Sequence, residues 1–169
     1  GGPVSPGDTL PCGEKRSLAG QRLLQSDRPV YGNSAVVRVV LGYQCEAFTE
    51  HQQWRFFSDD YTVSERCDRM GYRLEGPVIE CDLDGILSEG ICYGAIQIPA
   101  DGQPIVLMND RQTIGGYPKI GAALSLDAQR MGQLSAGNIV HFAPITRATA
   151  VRTLHLARRF WYNKPLREC

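Results

Sequence analysis

Val36-Val37-Arg38-Val39-Val40-Leu41, closed by Gly42, is a β-branched run ended by a glycine, the pattern of a buried strand. Downstream of it, short strand candidates recur between turn signals at 61–63, 70–74, 78–81, 95–98, 105–108, 120–125 and 139–142. No stretch of helical period separates them often enough to cover a parallel sheet. A mainly β chain, folded as an antiparallel barrel, is therefore expected rather than a doubly wound α/β fold. Glu46 to Phe57 carries few breakers and ends before Ser58-Asp59-Asp60. It predicts a short helix that turns Phe48 and some of Trp54, Phe56 and Phe57 inward. Leu126 to Leu134 predicts a second short helix. From Arg147 to Tyr162, a three-to-four spacing joins Ala148, Val151, Leu154 or His155, and Arg158 or Phe160. That spacing predicts a C-terminal amphipathic helix resting on the barrel or on a partner.

Upstream of the run the texture differs. Residues 1–35 are rich in Gly, Pro and Ser, with Pro6-Gly7-Asp8 and Pro11-Cys12-Gly13 as turn signals, and read as a connector and the end of a preceding domain. The expected organisation is 1–35 connector, 36–146 main domain, and 147–169 helix and tail. The chain opens on Gly1-Gly2-Pro3 rather than methionine, so further sequence upstream is expected.

The 169 residues suit one ordinary domain with a short appendage. A hydrophobic fraction of 43% and a charged fraction of 21% belong to a folded globular protein. Eighteen basic residues balance eighteen acidic ones, leaving no net field to gather a nucleic acid, and the basic residues of 147–164 read as one solvated helix face. The longest apolar run, Ala35 to Gly42, is broken by Arg38 and falls far short of the ~20 residues of a spanning helix. Six cysteines, none at C-x-x-C spacing, read as free thiols of a cytoplasmic protein. The histidines at 51, 141 and 155 are isolated from one another, so no metal site is expected.

Three segments carry chemistry. In Cys67-Asp68-Arg69-Met70-Gly71-Tyr72-Arg73, two arginines and a carboxylate surround a glycine. Guanidinium forks suit a carboxylate or carbonyl oxygen, although a salt link from Asp68 to Arg69 or Arg73 explains the same composition. In Ser88-Glu89-Gly90-Ile91-Cys92-Tyr93-Gly94-Ala95-Ile96-Gln97, Glu89 offers an acceptor and Gln97 a two-way amide; structural glycines are the alternative reading. Asp110-Arg111-Gln112-Thr113-Ile114-Gly115-Gly116-Tyr117-Pro118-Lys119 is too polar for a plain strand. Its paired glycines permit positive backbone torsions and a nest of amide donors, and Tyr117 and Lys119 suit a developing oxyanion. A Gly-Gly hairpin with solvated ends is the plain alternative. The three segments, taken as 67–76, 88–97 and 110–119, are expected to converge on one concave polar surface, because their charges are otherwise unexplained on short barrel strands. No P-loop, dinucleotide fingerprint, G-x-S-x-G elbow or H-E-x-x-H occurs.

Taken in order, Asp68-Arg69-Met70-Gly71-x-Arg73, Ser88-Glu89-Gly90, the run from Gly94 through Gln97 to Leu107, and Asp110 to Ile120 resemble the allophanate hydrolase subunit 2 family. This is the KipA-like or biotin-dependent carboxyltransferase family, which includes the third subunit of bacterial 5-oxoprolinase. Cys67 stands where that family has serine, Asn109 replaces alanine and Ile114 replaces threonine, which leaves the charged groups intact. The resemblance implies a cyclophilin-like β-barrel in the C-terminal part of a subunit that pairs with a homologous allophanate hydrolase subunit 1-like (KipI-like) partner. It implies action on a small amide, urea or lactam, with carboxybiotin or ATP supplied by partner subunits and no cofactor bound within this chain. On this reading Asp110, Glu89, Tyr117 and Lys119 are the catalytic candidates. Asp68, Arg69, Arg73, Gln97, Gln112, Gly115 and Gly116 are the substrate-binding ones. A non-catalytic regulatory module that contacts the homologous partner, as an antagonist of a kinase inhibitor, is the competing function. Prolyl isomerase activity, suggested by the barrel alone, lacks its arginine motif.

Overall fold

In a computed structural model the run at Val36 forms part of a strand that six others join into a closed barrel. The structure describes residues 3–13, 21–83, 85–164 and 167–168. The connector reading at 14–20, the tail at 165–166 and Cys169 lie outside the described residues. In chain order the elements begin with β1 (Gln21–Arg22), β2 (Ser34–Leu41), α1 (Glu50–Ser58), β3 (Asp60–Cys67) and β4 (Gly71–Glu75). There follow β5 (Glu89–Gly90), β6 (Ala95–Gln97), β7 (Ile105–Leu107), β8 (Ile114–Gly115) and β9 (Lys119–Ala123). The last are α2 (Ser125–Met131), β10 (Ile139–Pro144), α3 (Arg147–Tyr162) and β11 (Arg167–Glu168).

Two compact units divide the chain. In the one formed by residues 1–29 and 163–169, β1 pairs antiparallel with β11, and Lys164 Nζ donates to Asp27 Oδ1. The other, Val30–Tyr162, holds the barrel, in the order β10-β2-β9-β6-β7-β4-β3. Every neighbouring pair in it is antiparallel except β10 with β2. The mainly β class, the antiparallel barrel and the C-terminal helix read from sequence are thus present.

Side-chain alternation fixes what each strand buries. On β2, Val37 and Val39 are fully buried while Val36 is 60% exposed, so this strand has one wet face rather than the two dry ones its run suggests. The alternate position, Arg38, sends its guanidinium to Asp127 at the start of α2. Asp127 Oδ2 accepts from Arg38 Nε at 2.7 Å and from its backbone N at 3.0 Å, and Oδ1 from Nη2 at 2.7 Å. Inside the barrel, Phe56 of α1 stacks on Phe142 of β10, centroids 4.4 Å apart, beside Tyr61 and Val63. α1 opens with Thr49, whose side chain accepts from the Gln52 N–H, and its 3.6-residue period puts Gln52 and Phe56 inward. Trp54, about 200° round from Gln52, is 65% exposed and is not core.

Two further expectations need correction. Val78 to Cys81 is not a strand: Ile79 N donates to Gly102 O, and Glu80 exchanges hydrogen bonds with the Gln52 side chain, so a turn and a side-chain link replace a ladder. On α3 the stripe through Ala148, Val151, Leu154 and Phe160 does not rest on the barrel, and of the two expected resting places only that one is excluded. Ala150 is buried and Thr153 and Ala157 are half-buried, while Val151, Leu154 and Phe160 are exposed.

Candidate functional site

The outer face of the barrel strands carries the polar groups. On β6, Ile96 enters the core and so Ala95 and Gln97 face out; on β7, Val106 enters and Ile105 and Leu107 face out. On β4, Leu74 enters the core and Arg73 faces out beside Ile105, its partner in register. Ala95, Ile105 and Leu107 form a second, smaller apolar cluster with Ile91. Over this cluster lies a two-stranded ribbon in which Glu89 of β5 pairs with Gly115 of β8. Ile91 N donates to Thr113 O and Ile86 N to Gly116 O, each at 3.0 Å, which extends the ribbon's ladder.

Between ribbon and barrel opens a cavity of about 210 Å³, walled by Arg66, Asp68, Arg73, Gln97, Gln112 and Tyr117 over Ile91, Ile105 and Leu107. The three segments picked out from the sequence therefore meet here: 67–76 through Asp68 and Arg73, 88–97 through Gln97, and 110–119 through Gln112 and Tyr117. Gln97 is only 5% exposed, and its side-chain amide has no hydrogen-bond partner among the described residues. Arg66 and Arg73 likewise make no side-chain hydrogen bond or ion pair among the described residues. A two-way amide and two permanently charged forks thus face one small space with their bonding capacity unspent.

Asp68 does not neutralise those arginines. Its Oδ1 accepts from Met70 N at 2.8 Å and Gly71 N at 3.1 Å, closing its own turn, so the Asp68 to Arg69 or Arg73 salt link is absent. Arg69 instead bridges Asp110 at 2.9 Å on the exposed surface, and neither lines the cavity. The neighbouring Cys67 thiol is pushed up by burial and donates to Ser64 O, so it stays protonated.

Glu89 and Lys119 form a second group, set to one side. Glu89 accepts from Lys119 Nζ, from Tyr43 Oη and, at 2.8 Å, from Gln44 Nε2. Gln44 Oε1 in turn accepts from Lys119 N at 2.8 Å, and Lys119 Nζ sits 5.9 Å over the Tyr43 ring. The Lys119 bond, then that of Tyr43, holds the Glu89 carboxyl below its ordinary range. It is an anchored anion, poorly suited to accept a proton at neutral pH. Lys119, Tyr43 and Gln44 line an adjoining, more apolar groove of about 300 Å³ with Leu41, Cys92 and Ala95. The two places touch, because Lys119 is the register partner of Gln97.

The paired glycines act otherwise than the sequence suggests. Neither Gly115 nor Gly116 has a positive φ, so no nest of amides forms there. Gly115 is needed for space: a Cβ on it would meet Ile91 and come 2.7 Å from Gln97 Nε2. Sequence reasoning missed Arg66, Tyr43 and Gln44. β3 runs on to Cys67 rather than stopping at Val63, and that extension is what brings Arg66 to the cavity. Tyr43-Gln44, a polar pair directly after the β2 run, gave only a faint signal.

A family model described as carboxyltransferase domain, subdomain A and B, matches residues 1–144. Over 158 residues the chain is 34% identical to the third (C) subunit of 5-oxoprolinase from Escherichia coli strain K12, a span of 92% of this chain and 49% of that protein. The Haemophilus influenzae protein of the same name is 31% identical over 150 residues, 86% of this chain and 48% of its own. The chain spans about half the length of these curated relatives. The solved urea carboxylase of Kluyveromyces lactis matches with a TM-score of 0.70 over 77% of this chain and 12% of that one, at 20% identity, a likeness of fold.

Proposed function

The chain belongs to the carboxyltransferase-domain family, subdomains A and B, and on that premise we propose that it is the substrate-binding part of an enzyme subunit acting on a small amide, urea or lactam. The observation that carries this reading is the cavity in which Gln97, Arg66 and Arg73 all lack protein partners. An amide side chain offers one donor edge and one acceptor, the complement of a –CO–NH– unit, while each guanidinium holds a carboxyl or carbonyl oxygen in a two-pronged grip. Tyr117 and Gln112 complete the wall with further donors. Lys119, the register partner of Gln97, lies in the adjoining groove with its charge held by Glu89, so the two guanidinium groups supply the positive charge where negative charge grows on the reacting carbonyl.

Among the described residues no activated nucleophile is at hand: Cys67, next to the cavity-lining Asp68, has its thiol pushed up by burial, and Glu89 lies outside the cavity and is tied up. The chain's share of the reaction is to hold and orient the acceptor and to stabilise its oxyanion. A carboxyl donor or ATP would come from partner subunits, in first place one homologous to allophanate hydrolase subunit 1. The name 5-oxoprolinase on the similar proteins favours a lactam over urea as the first substrate to try. The test is turnover of 5-oxoproline and of urea by the chain alone and by its assembly with the upstream region and partner subunit. Activity is expected only in the assembly, and Arg66→Ala with Arg73→Ala should lower kcat/KM by ~100-fold or more. Wild-type turnover by the doubly substituted assembly would overturn the reading.

A further inference from the structure

We propose that Tyr43 and Gln44 are positioning residues that act through Glu89 to clamp the β5–β8 ribbon onto the Gln97 cavity and so set Gln112 and Tyr117 in its wall. This rests on the reading of that cavity as the substrate site. The ribbon is too small to hold its own place, since each strand is two residues long and an isolated two-stranded ribbon is marginal in water. It needs an attachment to the barrel.

Glu89 supplies it. Its three donors come from two barrel elements: Tyr43 and Gln44 from the turn after β2, and Lys119 from the first position of β9. Gln44 binds twice, giving its amide to Glu89 and taking the Lys119 N–H, so the turn, the strand and the ribbon are locked in one network. Register carries the effect to the cavity. Glu89 lies opposite Gly115, Gly115 rests against the Gln97 amide, and Gln97 lies opposite Lys119. Lys119 has only 13% of its side chain exposed, so the bond is less screened than a surface ion pair. A ribbon released at Glu89 lifts Gly115 from Gln97 and carries away Gln112 and Tyr117, which flank β8.

The test uses the ¹⁵N-labelled chain and two variants, Glu89→Gln, which keeps the shape and removes the charge, and Tyr43→Phe, which removes one donor. In Glu89→Gln the Ile86 and Ile91 amides, bonded within the ribbon, should exchange with solvent about tenfold faster, with a smaller gain in Tyr43→Phe. The side-chain amide resonances of Gln97 should shift, while those of Gln103, bonded to Gly76 elsewhere on the barrel, stay in place. Amides of Val63 and Leu74 in the barrel should keep their protection. In an assembly that turns over, KM should rise more than kcat falls. Unchanged Gln97 resonances and ribbon exchange in both variants would overturn the clamp, as would barrel amides losing protection in step with the ribbon. A clamp seen by resonance in an assembly without turnover would sink the enzymatic reading and leave the clamp standing.

Discussion

Replacing Gln97 by methionine separates a residue kept for binding from one kept for the fold. At 5% exposure with no partner for its amide, Gln97 is a polar group removed from most of its water. Such a group costs about 1–3 kcal/mol in protein mutational data. The cavity admits some solvent, so the lower end applies. Methionine matches glutamine in length and flexibility and carries no amide, and it fills the same space beside Gly115. Gln97→Met should therefore raise stability by about 1 kcal/mol, or Tm by roughly 2–4 °C in a chain of this size. Activity should move the opposite way. A bound –CO–NH– unit would lose its donor and acceptor, which lowers kcat/KM about 10- to 100-fold. Urea unfolding of the chain and turnover of the assembly measure the two sides. A variant destabilised by more than about 1 kcal/mol, with turnover intact, would make Gln97 an ordinary structural amide and refute the reasoning.

Three other outcomes follow from the same structure. Asp127→Ala removes a bidentate partner from Arg38 and strands the Arg38 backbone N–H; with the arginine 36% exposed the loss should be about 2–3 kcal/mol by urea unfolding. Tyr61 is fully buried with its hydroxyl unpartnered, and burial pushes that phenol far up, so Tyr61→Phe should be neutral or stabilise by about 1 kcal/mol. Glu89 is held below its usual 4.5, so its contribution is complete above that pH and is lost as the pH falls through the lowered value. Wild type should accordingly exceed Glu89→Gln in stability by a constant margin at neutral pH, and the margin should close in acid; a margin that grows in acid would reverse the assigned direction.

Much of the barrel was legible because β-branched runs and turn residues act locally. Val36 to Leu41, Ile105 to Leu107 and Ile139 to Phe142 all lie on barrel strands, Met108 falling just past the end of its strand. What failed did so for non-local reasons. β5 and β8 are strands only because they meet each other and the barrel: Glu89-Gly90 has no strand propensity, and Ile114 is a lone β-branched residue before two glycines. Val78 to Cys81 has the propensity but is held by Gln52 from α1. At the site, residue type identified Asp68, Arg73, Gln97, Gln112 and Tyr117, which line one cavity. It could not separate Arg73, which has no partner, from Arg69, which Asp110 neutralises, because pairing across 41 residues depends on the folded path. The Gly115-Gly116 pair misled for a related reason: a glycine serves equally for torsion or for space, and here its neighbour Gln97 decides.

The most direct measurement is titration of the ¹⁵N-labelled assembly with the substrate it turns over, following the side-chain resonances that face each of the two adjoining spaces. The Gln97 amide and the Arg66 and Arg73 Nε–H signals should shift together and saturate at one concentration, which places the ligand under the ribbon. Shifts confined to Lys119, Gln44 and the backbone amides of Leu41 and Cys92, with Gln97 and both arginines silent, would put the ligand in the neighbouring groove and contradict the account.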